Sequence, residues 1–133
     1  MDPEDIRQRV RAKLQEQRAL VEDLLRRREQ LSGSLFVRYG VCGKSGCVCR
    51  TGQKHGPYYV LSTRSGGQGG FSYLAASQMA EARALVKAFR EYRTDMRRLR
   101  KVSEQIVTLL RRYQDATARQ GSRRVGLGAQ AQA

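Results

Sequence analysis

Cys42, Cys47, Cys49 and His55 place four metal-ligating side chains within fourteen residues, in the pattern C-x4-C-x-C-x5-H. They are every cysteine and the only histidine of the chain. Sets of four thiolate and imidazole donors are what a tetrahedral structural zinc site uses. The pattern therefore predicts one structural Zn2+ held by these four residues, with glycines at 40, 43, 46, 52 and 56 letting the backbone turn tightly around it. Other chemistries fit the same residues. An iron–sulfur cluster is one, since C-x4-C-x partly echoes a ferredoxin spacing. Three thiols acting as small hydrophobes beside a turn histidine are another. A Cys–His nucleophile pair is a third, although no third group stands nearby to orient it. Size favours the metal. The stretch from Ser34 to Ala75 is 42 residues, near the ~40-residue size at which a fold usually needs a metal, a disulfide or a partner.

The string Cys42-Gly43-Lys44, Cys47-x-Cys49, then His55-Gly56-Pro57-Tyr58-Tyr59 resembles the signature of an uncharacterised prokaryotic domain-of-unknown-function family. Short members of that family are often encoded near transposases and other mobile-element genes. The resemblance runs from about Leu35 to Tyr113. The chain departs from the usual pattern at Ser45, where proline is frequent, and at Val48, where a basic residue is frequent. It also lacks a proline often found after Tyr73. The resemblance implies a setting in transposition or recombination but no activity.

Charge is the second chemical feature. Twenty-six basic residues stand against twelve acidic ones, for a net charge of +14. Such an excess calls for an anionic partner or serves solubility. It is unevenly spread. Residues 1–33 carry eight basic and seven acidic side chains. Residues 34–75 carry Arg38, Lys44, Arg50, Lys54 and Arg64 and no acid. A further basic run, Arg97, Arg98, Arg100 and Lys101, follows in the second half. Arginines outnumber lysines, and the guanidinium fork suits phosphate oxygens. These nine residues are the predicted nucleic-acid contacts, since clustered cations gain from counterion release. On the second helix a solvated face explains the run as well as binding does. Tyr39, Tyr58, Tyr59 and Tyr73 could stack on bases or pack locally. DNA is the favoured nucleic acid, and no enzyme is expected, for residues 34–75 hold one histidine and no carboxylate pair. The alternative is a coiled-coil adaptor whose basic head docks another protein, such as a transposase or recombinase.

These side chains need a frame. Asp2-Pro3-Glu4-Asp5 reads as a helix start, with Asp2 as the cap and Pro3 at the first helical position. The helix is predicted to run to Leu31 and stop at Ser32-Gly33. Strands are predicted over Leu35–Tyr39, Pro57–Thr63 and Phe71–Leu74. Ser77 is the predicted cap of a second helix, from Gln78 to Ala118. Along it Leu85, Phe89, Tyr92, Met96, Leu99, Ser103, Ile106, Leu110, Tyr113 and Thr117 keep an alternating three-four spacing. That is a coiled-coil seam. Its apolar members Leu85, Phe89, Tyr92, Met96, Leu99, Ile106 and Leu110 are the predicted oligomerisation residues.

The predicted class is α+β. Two long helices form an antiparallel coiled-coil hairpin, with a three-stranded antiparallel zinc-knuckle head between them. The segments are 1–33, 34–75, 76–119 and a disordered basic tail, 120–133. Two helices leave much surface wet, so a homo-oligomer, most simply a dimer, is expected. An odd cysteine count argues against a disulfide framework and for a reducing, cytoplasmic setting. The acidic N-terminus has no signal-peptide pattern, and no apolar run reaches membrane-spanning length, so no membrane partner is expected.

Overall fold

The structure is a computed structural model, and it describes residues 1–26, 28–65 and 68–127, with the side chains of 64, 65 and 68 outside that set. The elements in chain order are α1 (Pro3–Leu24), β1 (Ser34–Gly40), β2 (His55–Ser65), β3 (Gln68–Leu74) and α2 (Met79–Arg124). Single turns of 3-10 helix lie at Val48–Arg50 and Ala76–Gln78. The chain is thus α+β. It divides into two compact units, one made of residues 1–27 and 93–133, the other of residues 28–92.

The first unit is helical. Ile6, 2% exposed, packs with Leu109 and Ala116, and Val10 and Tyr113 lie against this cluster. Further along α1, the Gln17 side-chain amide donates to the Ser103 hydroxyl at 3.1 Å. The buried row of α2 in this unit is Val102, Ile106, Leu109 and Ala116. This row, buried within the chain, differs from the predicted seam. Two three-four rows share Leu99, Ile106 and Tyr113, one continuing through Ser103, Leu110 and Thr117, the other through Val102, Leu109 and Ala116. Burial selects the second row. Leu110 and Met96 are about half exposed, at 48% and 47%. The residue types explain the choice, since valine and alanine lose nothing polar on burial where serine and threonine do. Ser103 bonds Gln17 instead, and the Thr117 hydroxyl donates to the Tyr113 carbonyl at 2.9 Å. Ile6→Ala is expected to cost this unit about 3 kcal/mol, as buried large-to-small changes do. A lowered thermal midpoint with unchanged metal content checks it.

The helix ends also differ from the sequence reading. Asp2 occupies the cap position of α1 but makes no side-chain cap bond. Its carbonyl accepts the Ile6 amide at 3.2 Å. Helix α1 stops at Leu24, not Leu31, because the following residues leave the helix to reach β1. The Leu31 amide donates to the Leu85 carbonyl at 3.1 Å, a bond a continuing helix would forbid. Ser77 does not cap α2. Ala75 precedes the 3-10 turn, and its amide donates to the Gln78 side chain at 2.8 Å. Helix α2 passes Gly121 and ends at Arg124. Of the predicted disordered tail, residues 128–133 lie outside the described residues.

The second unit is built on an antiparallel sheet of order β1-β2-β3. Phe36 pairs with Val60 and Val60 with Tyr73; Leu35 pairs with Leu61 and Leu61 with Ser72. Paired residues share a face. One face therefore carries Phe36, Arg38, Tyr58, Val60, Phe71 and Tyr73. The other carries Leu35, Val37, Tyr59, Leu61 and Leu74. Leu61, Met79, Ala82 and Val86 are buried in this unit, so the second sheet face and the start of α2 supply its core. The β1–β2 register breaks between Arg38 and Gly40. Arg38 pairs with Tyr58 but Gly40 with His55, so β2 holds an extra residue there, as at a β-bulge.

Candidate metal centre

That bulge sets His55 at the start of β2, facing the loop that leaves β1. The loop brings Cys42, Cys47 and Cys49 back within reach. Gly46, at φ +82°, makes the turn before Cys47. Cys49 sits in the turn at Val48–Arg50, which closes through the Arg50 amide on the Cys47 carbonyl at 3.3 Å. Gly56 follows His55 at φ +136°, against the Arg38 carbonyl and the Tyr39 ring.

The four donor atoms all lie within 4.8 Å of one another. Cys42 Sγ and Cys49 Sγ are 3.5 Å apart, and Cys47 Sγ and His55 Nε2 are 3.3 Å apart. Arms of about 2.3 Å to sulfur and about 2.1 Å to nitrogen give tetrahedral edges of roughly 3.5–3.8 Å. The donor set thus fits one four-coordinate metal ion. Cys49 is almost fully buried, at 2% exposure, while His55 is exposed.

The electrostatics agree with a cation. The Cys47 thiol is lowered to about 6, chiefly by the Cys49 backbone N–H, then by the Cys49, Cys42 and His55 side chains. A lowered thiol favours the thiolate form that binds metal. The Cys49 thiol moves the other way. The Cys42 amide, donating at 3.4 Å, pulls it down, but burial and the neighbouring Cys47 and Cys42 sulfurs outweigh that and raise it. Three sulfurs this close cannot all carry negative charge unaided. A bound divalent cation removes the conflict, because a coordinating thiol is deprotonated outright.

The residue pattern of a family described as "Domain of unknown function (DUF6788)" matches residues 4–84. The chain belongs to this family. The match begins in α1 and ends in the first turns of α2, so the family unit takes in the whole sheet and metal loop. It starts and stops earlier than the resemblance read from the sequence. No curated protein and no solved structure matches the chain.

The predicted nucleic-acid residues fall into two sets. Arg38, Lys44, Arg50 and Lys54 are exposed on or beside the metal loop. Arg64 lies in β2, paired through its backbone with Gly69, and its side chain is outside the described residues. Arg97, Arg98, Arg100 and Lys101 are exposed on α2 but belong to the helical unit. Of the predicted oligomerisation residues, Leu85, Phe89 and Tyr92 are half-buried in the sheet unit, Leu99 is half-buried and Ile106 buried in the helical one. The sequence reading overlooked Phe36 and Phe71, which join Tyr58 and Tyr73 on one sheet face. The alternation of β1 and β3 carried that signal. Among the described residues no helix is long and apolar enough to cross a membrane.

Proposed function

We propose that the protein is a non-enzymatic, zinc-containing nucleic-acid-binding protein acting on DNA. The observation that carries this reading is the convergence of four zinc-type donors inside a stretch with five cations and no carboxylate. The zinc shapes the loop, and Arg38, Lys44, Arg50 and Lys54 reach phosphate oxygens. The contact of α1 with α2 through Ile6, Leu109 and Gln17 supports an antiparallel coiled-coil hairpin. Family resemblance suggests an accessory or regulatory role in transposition or recombination.

A salt-series binding titration on duplex DNA tests the proposal. Affinity is expected to fall steeply as salt rises. The double change Lys44→Ala, Arg50→Ala is expected to flatten the slope of log K against log[salt] by about two, near 0.9 per lost phosphate contact. Binding that ignores both salt and those changes defeats the reading. A second reading, an adaptor for another protein or a second copy of itself, rests on the half-exposed Leu14, Met96, Val107 and Leu110 of the helical unit. Oligomeric protein with no affinity for DNA at low salt selects it.

A further inference from the structure

The sheet face bearing Phe36, Tyr58, Phe71 and Tyr73 has a chemistry that the metal loop lacks. Phe71 is 69% exposed and Tyr73 62%, with Phe36 and Tyr58 each about two-fifths exposed. Four aromatic rings on one three-stranded face are far more than a small unit leaves wet by accident, and such patches mark binding sites. The rings are held in place. Phe36 and Phe71 meet edge to face at 6.2 Å between centroids, and Tyr58 and Tyr73 do so at 6.3 Å. Neither pair is stacked ring on ring. Val60, paired between Phe36 and Tyr73, is 2% exposed beneath them. Arg38 stands on the same face, its guanidinium donating to the Tyr73 hydroxyl at 3.1 Å. A groove lined by Arg38, Val41, Cys42, His55, Tyr58 and Tyr73 runs from this face to the metal loop.

We propose that this face is a stacking platform for single-stranded nucleic acid. The inference rests on the nucleic-acid reading above and narrows it to unpaired strands. Aromatic side chains on an open sheet bind splayed bases, with cations tracking the backbone. Phe71 and Tyr73 alternate along β3, so their Cα atoms are about 6.7 Å apart along the strand. That is twice the ~3.4 Å rise of stacked bases in a duplex strand, a spacing suited to a strand pulled out of its stack. A duplex keeps its base faces covered and offers nothing to the rings. Charge decides against a second copy as the occupant. Self-association here would set the acid-free stretch 34–75, with its five cations, against itself. A polyanion meets no such opposition.

The experiment is fluorescence anisotropy of the full chain with dT20, rU20 and a 20-base-pair duplex at one moderate salt concentration. At least one single strand is expected to bind about tenfold tighter than the duplex. Phe71→Leu with Tyr73→Leu keeps an apolar cover over Val60 but removes two stacking faces. It is expected to weaken single-strand binding by about tenfold or more, to leave duplex affinity within twofold and zinc content unchanged, and to lower melting only slightly through the two lost ring pairs. Tyr73→Phe, which keeps the ring, is expected to bind single strands like the parent. Duplex binding as tight as single-strand binding, with the leucine variant unaffected, overturns the platform while leaving the broader reading standing. No affinity for any of the three probes, even at low salt, overturns both. A parent dimer that the leucine variant dissociates shows a self-interface and overturns the platform.

Discussion

Stripping the metal from the purified protein is expected to unfold the sheet unit and leave the helical unit largely intact. The reason is one of scale. A structural zinc ion contributes on the order of 10 kcal/mol or more of apparent folding free energy in a small module. A whole domain is stable by only about 5–15 kcal/mol. Among the described residues of the second unit, the buried apolar side chains are Val60, Leu61, Met79, Ala82, Val86 and the candidate ligand Cys49. Loss of the ion also leaves the buried Cys49 thiol to take up a proton, since burial and the neighbouring sulfurs raise it. The first unit has its own core at Ile6, Leu109 and Ala116 and contains none of the donors. Elemental analysis is expected to give one zinc per chain, falling to none after dialysis against a strong chelator and in Cys49→Ser. Amide exchange is expected to become rapid at Val60 and Leu61 while staying slow along Val102–Leu109. Retained protection of the sheet amides in metal-free protein would show that the ion is no structural element.

The second large effect is expected at Gly56, which ligates nothing. Its φ is +136°, and an added Cβ would lie 2.8 Å from the Arg38 carbonyl oxygen and 2.8 Å from the Tyr39 ring. The exposed Tyr39 ring can turn aside, but the carbonyl cannot withdraw easily, because Arg38 and Gly40 are held in the β1–β2 ladder on either side of the bulge. Gly56→Ala therefore combines a disfavoured backbone angle with overlap against a main-chain atom. Together these are expected to cost about 3 kcal/mol. Relief can come only by moving the start of β2, and His55 stands there. The variant is expected to hold zinc at least a hundredfold more weakly than the parent, measured by competition with a chromogenic chelator. Gly43→Ala is the control. A Cβ at Gly43 meets nothing within 4 Å, and its affinity is expected to match the parent's. Equal zinc affinity in Gly56→Ala would show that the bulge does not position the histidine.

The donor set was legible because its chemistry is carried by rare residues at short separation. No other histidine or cysteine competes for the site. The three strands were legible for a similar reason, since β-branched and aromatic residues cluster there and glycines mark their ends. The seam of α2 was half legible. Spacing alone leaves two rows open through the shared Leu99, Ile106 and Tyr113, and only the partner on α1 chooses between them. The end of α1 was not legible. Leu25 and Leu31 continue the apolar pattern, and the bond from the Leu31 amide to the Leu85 carbonyl is a long-range fact. The aromatic face needed the strand register as well as the strands. Tyr58 and Tyr59 are neighbours in sequence but lie on opposite faces, and it is pairing that groups Tyr58 with Phe36, Phe71 and Tyr73.

All four donors lie between residues 42 and 55, so an ion held by them would close only short loops. The start of α2 comes later in the chain and its contacts span greater separations, as the bond from the Leu31 amide to the Leu85 carbonyl does. Short-range closures form fast. During synthesis the knuckle would therefore be able to take up an ion before α2 is complete. The apolar start of α2, with Met79, Ala82 and Val86, then has a formed sheet to dock on, and the time in which unpaired strand edges stay open to other chains is shortened.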